Sequence, residues 1–183
     1  MGTVVIVLVI VVALAGGAIY LNNNIVRAYN RCDNAWDQIN AQLKRRADLV
    51  PNLVETVKGY AAHESGTLEA VVNARNAAMS ATTPEAAASA DNQLTSALRQ
   101  LFALAESYPD LKANQNFQQL QTQLQDTEDK ITYARQSYND CVYMYNNAIQ
   151  TFPAVLVAGM FGFQARSLFD AAPEAQTAPK VRF

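Results

Sequence analysis

KRRADLVPNLVETVKGYAAHE, Lys44 to Glu64, decides how the chain is divided into helices. Its apolar residues recur at helical spacing, yet Pro51 sits in the middle and the chain's single histidine, His63, sits near the end. An interior proline removes one backbone hydrogen bond and clashes with the preceding turn, at a cost of about 3 kcal/mol, whereas in a first turn it costs little. Lys44, Arg45 and Arg46 suit a helix C-terminus, and Asp48 can cap a new helix with Pro51 in its first turn. The heptad phase argues for continuity, since Val50 and Val57 stay in register across the proline. Length argues for a break, because one helix from Ile25 to Ala78 would span roughly 80 Å at 1.5 Å per residue. The expectation is therefore a stop and restart at Pro51, with three long helices and a kink there as the alternative.

Working back towards the N-terminus, Met1 to Val26 carries no charged side chain, and twelve Val, Ile and Leu residues lie between Val4 and Leu21. At mid-membrane these favour insertion by about 4 to 7 kcal/mol in sum. The run is long enough to cross a bilayer. Ala13-Leu14-Ala15 has the small residues of a cleavage site, but the basic leader of a signal peptide is missing, which favours a retained anchor. Lys and Arg follow the span (Arg27, Arg31, then Lys44 to Arg46) and none precedes it. That bias predicts a single-pass membrane protein, N-terminus outside and helical domain in the cytoplasm. Ala13 and Gly17 form a small-xxx-small spacing that could join two such helices.

Working forward, Phe117, Leu124, Ile131, Tyr138, Tyr145 and Phe152 occupy one heptad position, and Leu120, Thr127, Ala134, Cys141 and Ala148 its companion. Large residues alternating with small ones make a seam for a neighbouring helix. Tyr29, Trp36, Leu43 and Val50, with Ile25, Cys32, Ile39 and Arg46, show the same period. Thr83-Pro84-Glu85 supplies a cap, a first-turn proline and an acid for a new helix, which ends near Tyr108-Pro109. The last long helix begins near Asn114. The whole reads as all-α: an anchor over residues 1–26, an antiparallel four-helix bundle over 27–169, and a disordered tail over 170–183 rich in proline and small residues. The apolar stretch Phe152 to Phe163 reads as a lid on the core or as a segment dipping into the bilayer interface.

Motifs for chemistry fail on inspection. His63-Glu64 lacks the second histidine of a zinc protease helix, because position 67 is Thr67. Tyr60 stands where a Glu-x-x-His di-iron pair would need a carboxylate. No catalytic residue, cofactor or metal ligand is assigned, and a net charge of −2 without a dense basic patch argues against nucleic acid. Cys32 and Cys141 read as small core residues. Glu64 shares the phase of Val57 and Val71, so a buried carboxylate there would need a partner, with Arg75 or Arg135 as candidates. The candidate contact surface is Arg45 to Asn52, including Arg46, Asp48 and Pro51.

The stretches LKRRADLVPNLVETVKGYAAHESGTLEAVVNAR, YPDLKANQNFQQLQTQLQDTEDKITYARQSYND and YNNAIQTFPAVLVAGMFGF resemble the LemA family. Ala47 and Cys141 depart from its usual pattern. The resemblance implies a transmembrane N-terminus, a cytoplasmic helical domain and no established catalytic residues, and a magnetosome-associated relative points towards membrane organisation. The expected function is a membrane-anchored helical scaffold that self-assembles on lipid or recruits a membrane-protein partner. The rival is an accessory subunit of a membrane protease or signalling enzyme.

Overall fold

The computed structural model describes residues 1–169, and the tail reading for 170–183 lies outside the described residues. The described chain is helical: α1 Gly2–Lys58, α2 Ser65–Ser80, α3 Pro84–Ala105, α4 Pro109–Ala113, α5 Gln115–Gln150 and α6 Ala154–Phe161. Within α1 lies one stretch long and apolar enough to cross a membrane, and none of it is buried against the rest of the protein.

The break expected at Pro51 does not occur; α1 runs through the proline to Lys58, and the chain reverses over residues 59–64 instead. Asp48 accordingly lies inside the helix and caps nothing. The reason is a contact made from α2. Proline at 51 leaves the carbonyl of residue 47 without its usual amide donor. Arg75 supplies one, its Nε donating to the Ala47 carbonyl oxygen at 3.1 Å. Pro51 itself is exposed, while Val50, Leu53 and Val57 on the opposite side are fully buried. Helical register therefore keeps three large side chains in the core, and the lost hydrogen bond is replaced from outside the helix.

The bundle is antiparallel, as expected, with its first turn moved downstream. Trp36 meets Tyr138, Tyr29 meets Tyr145 and Arg46 meets Glu128, so α1 and α5 run in opposite directions along their shared length. From Asn22 to Lys58, α1 extends roughly 55 Å, and α5, at 36 residues, about the same. The shorter α2 and α3 form a hairpin against this pair. Their far ends enclose one core of Val50, Leu53, Val57, Leu68, Val71, Leu98, Leu101, Leu111 and Phe117. A second core, nearer the apolar end of α1, gathers Ile25, Cys32, Ile39, Tyr138, Val142, Tyr145, Ile149, Val157 and Phe169.

Local signals explain the remaining ends. Thr83 Oγ1 accepts from the Ala86 amide, with Pro84 and Glu85 in the first turn of α3. Asn114 caps α5 through the Phe117 amide and also donates to the Tyr60 hydroxyl, tying the 59–64 turn to the start of α5. α3 stops at Ala105, three residues before the Tyr108-Pro109 step, and Pro109 opens α4. Phe117, Leu124, Ile131, Tyr138 and Tyr145 of the α5 seam are buried and Leu120 is half-buried, whereas Phe152 lies past the helix end and is exposed.

If Arg75 replaces the hydrogen bond that Pro51 removes, the two residues are energetically coupled. Arg75→Met destabilises the protein by about 1–3 kcal/mol. In a Pro51→Ala background, where the residue 51 amide serves Ala47, the same substitution costs less than half as much. Urea unfolding in mild detergent, followed by the fluorescence of Trp36, measures both arms of this cycle.

Candidate functional site

The residues singled out by the sequence do not converge on one pocket. His63 is exposed in the 59–64 turn, and Glu64 is half-buried beside it. Glu64 accepts from the Tyr108 hydroxyl at 3.2 Å, while Arg75 directs its guanidinium to Ala47 and Asn76. Arg135 lies in the other core, 5.0 Å from the centre of the Phe169 ring. The ion pair expected for Glu64 is thus replaced by a hydrogen bond from a tyrosine hydroxyl at the far turn. Arg45, Asp48, Pro51 and Asn52 are exposed along one side of α1, and Ala13 and Gly17 lie in its uncovered apolar stretch. Among the described residues no group of three or more His, Cys, Asp or Glu is placed to hold a metal ion.

Arg46 behaves differently from its neighbours Lys44 and Arg45. Read as part of a solvated helix end, it is instead 4% exposed and sits between the two cores. Its Nη1 reaches Asp91 Oδ1 at 2.7 Å and Glu128 Oε2 at 2.6 Å. Thr127, also buried, turns its hydroxyl back onto the Gln123 carbonyl. One guanidinium thus serves two carboxylates from two other helices. Asp91 is 1% exposed and its Oδ2 has no partner among the described residues. Burial pushes the Asp91 carboxyl above its ordinary range; Arg46 opposes this and Glu128 adds to it.

The second constellation lies at the end of α5. After α6, Gly162 takes a left-handed conformation (φ 72°), and the Phe163 amide bonds back to the Ala158 carbonyl, closing the helix and releasing an extended strap over 163–169. Two Tyr-Asn pairs seven residues apart on α5 hold this strap. Asn146 Nδ2 donates to the Arg166 carbonyl and its Oδ1 accepts from the Arg166 amide, both at 2.9 Å. Asn139 does the same for Phe169, at 3.1 and 2.8 Å. The Tyr145 and Tyr138 hydroxyls donate to the carbonyls of Gln164 and Ser167. Side-chain amides thus replace a neighbouring β-strand in satisfying an extended backbone.

The strap's side chains are seated as firmly. Arg166 pairs with Asp33 and lies 4.7 Å from the centre of the Tyr29 ring. Phe169 packs on Trp36. A hydrogen bond involving Ser167 is the main reason the Glu85 carboxyl lies below its usual range, so the strap also touches the start of α3. Cys32 lies beneath, fully buried, with burial pushing its thiol upwards, as befits a core residue.

The family model that describes the LemA family matches residues 35–183. The chain belongs to the LemA family. The match begins at Ala35, within α1, and takes in both carboxylates that face Arg46 and the whole strap with its Tyr-Asn pairs. Protein LemA of Metamycoplasma hominis is 29% identical over 153 residues, which cover 81% of this chain and 68% of that protein. Magnetosome protein MamQ of Magnetospirillum gryphiswaldense is 32% identical over 88 residues, or 48% of this chain. A MamQ of Paramagnetospirillum magneticum is 31% identical over the same length. The matched part is about a third of each magnetosome protein, 32% of its length.

Sequence reasoning missed most of this LemA domain's polar machinery. Asp91, Glu128, Asn139, Asn146, Asp33 and Arg166 carried no recognisable motif. The available signal was the repeat of Tyr138-Asn139 as Tyr145-Asn146, whose tyrosines were read as seam and whose asparagines were passed over.

Two outcomes follow for this domain. Because the folded Asp91 titrates above its unfolded value of about 4, the folded state holds the proton between those two values. Its stabilising contribution is therefore full below the unfolded value and falls as pH rises through the folded one. Urea midpoints show that fall in the wild type, and Asp91→Asn abolishes it; Arg46→Met costs about 3–5 kcal/mol by stranding two carboxylates. For the strap, Asn146→Ala accelerates hydrogen exchange at the Arg166 amide, and Asn139→Ala at the Phe169 amide, each at least tenfold, while amides in the distal core keep their protection.

Proposed function

We propose that this LemA-family chain is a membrane-anchored helical scaffold, not an enzyme, which self-assembles through the uncovered side of its α1–α5 pair. The observation that carries the proposal is the unequal covering of that pair. On one side α2, α3, the strap and α6 form a continuous third layer. On the other, a groove of about 680 Å³ runs between the two long helices, lined by Gln38 and Gln42 of α1 and by Asp126, Asp129, Lys130 and Tyr133 of α5. Tyr133 is 75% exposed at its edge. Gln42 Oε1 lies buried there without a partner among the described residues. A groove between two helices accepts a third helix, and the mixed charges of Asp126, Asp129 and Lys130 allow a second copy to pair with itself.

The anchor reading supports assembly in the plane of a bilayer. The apolar stretch of α1 is unburied, and Arg27 and Arg31 follow it, which favours an outside N-terminus and a cytoplasmic bundle. The similarity to two magnetosome proteins agrees with a role in organising membrane. A second reading, an accessory subunit for a membrane enzyme, is favoured by the exposed row Arg45, Asp48 and Asn52, which share one side of α1.

Mass measurement of the full chain in mild detergent tests the first reading. An oligomer is expected at micromolar concentration, with Tyr133→Glu shifting it at least tenfold towards monomer; a strict monomer overturns the proposal. Photo-crosslinking from Arg45 and Asn52 in cells tests the second, which fails if only self-crosslinks are recovered.

A further inference from the structure

α6 has two faces with opposite fates. Val157 and Ala158 are buried and close the core above Ile25 and Ile149, with Ala18 and Leu21 packed at its margin. The other face holds Leu156 (61% exposed) and Met160 (83%), flanked by Phe161 (61%), exposed at the helix end, and by Phe152 (81%) just before the helix. From Ala154 to Phe161 there is no polar side chain at all. The lid and the interface, alternatives at the level of sequence, are thus two sides of one helix. A contiguous apolar face of this kind is rare on a protein surface that meets only water.

The position of α6 along α1 says what covers it. The uncharged run of α1 ends at Val26, and Ala18, Leu21 and Ile25, which share a core with Val157 and Ala158 of α6, belong to its last nine residues. About 20 residues suffice for the hydrocarbon core, so these residues lie at its inner edge and in the headgroup layer. Arg27 and Arg31, both exposed, follow at once, at the level where lipid phosphates would meet them.

We propose that α6 is an interfacial helix, with Phe152, Leu156, Met160 and Phe161 seated in lipid at the boundary between headgroups and acyl chains. Its partner is the bilayer that holds α1, since α6 packs on α1 and its buried residues Val157 and Ala158 share a core with Ala18, Leu21 and Ile25 at the end of the span's apolar run. The chain then touches the membrane twice, through a crossing rod and through a foot packed against that rod. This inference rests on reading α1 as a membrane span.

The test uses the full chain in phosphatidylcholine and phosphatidylglycerol vesicles, with Trp36→Phe as background and helix content as the check on folding. One tryptophan is introduced at a time, as Leu156→Trp, Met160→Trp, Ile10→Trp or His63→Trp. Lipids brominated along the acyl chain should quench Leu156→Trp and Met160→Trp, more strongly from shallow than from deep bromines. Aqueous acrylamide should quench them at least threefold less than His63→Trp, whose site is exposed in the 59–64 turn. Quenching at Ile10→Trp by bromines, with none at positions 156 and 160, overturns the interfacial helix and leaves the span standing. Escape of Ile10→Trp as well overturns both. Shielding of positions 156 and 160 from acrylamide and bromines alike assigns the face to protein, a second copy included, and rejects lipid as its cover.

Discussion

The carbonyl of Ala47 is the point on which the architecture turns. Pro51 orphans it, and a buried helix with an unpaired carbonyl beside a ring clash would be expected to stop there. The guanidinium of Arg75 reaches across from α2 and accepts that role. Because α1 can then continue to Lys58, it matches α5 in length beyond the apolar stretch, and the two form a long antiparallel pair. The hairpin of α2 and α3 is too short to cover that pair, so the strap and α6 complete the layer. A long rod with a partial cover therefore follows from one long-range hydrogen bond.

The same pair is divided crosswise by charge. Arg46, Asp91 and Glu128 come from three helices and meet where the apolar cores stop. Each core on its own is compatible with several registers of smooth helices; a guanidinium that must find two carboxylates is compatible with few. The energetic role of the cluster is accordingly lopsided. Its formation gains little over apolar packing, whereas removing one member leaves buried charge with nothing to answer it.

How much could be read from the chain alone depended on range. The heptad positions of α5 and α1 named most of the buried seam, because burial on a helix is a local, periodic property; the exceptions are Phe152, just beyond the helix end, and Tyr29, exposed at the edge of α1. The cap at Thr83 and the starts at Pro84 and Asn114 were equally local. Arg46 stood in the same phase as Ile25, Cys32 and Ile39, so its burial was encoded in the register, but its partners stand 45 and 82 positions away and its neighbours suggested a solvated end. Pro51 was misjudged for the same reason: a propensity rule sees the proline, and the donor that rescues it lies 28 residues away. The strap has no periodicity at all, being extended, and its meaning resides in asparagines on another element.

Those asparagines read peptide groups and are indifferent to the residue that bears them. Arg166 and Phe169 are fixed by Asp33, Tyr29 and Trp36 as well, whereas Ala165 and Leu168 contribute no side-chain hydrogen bond to the grip. The strap thus has two tiers of mutational latitude, tight at every third position and at Ser167, which bonds Glu85, and loose at the other sites, like a ribbon pinned at intervals. A drift in composition along the intervening sites would leave its path over the helices unchanged.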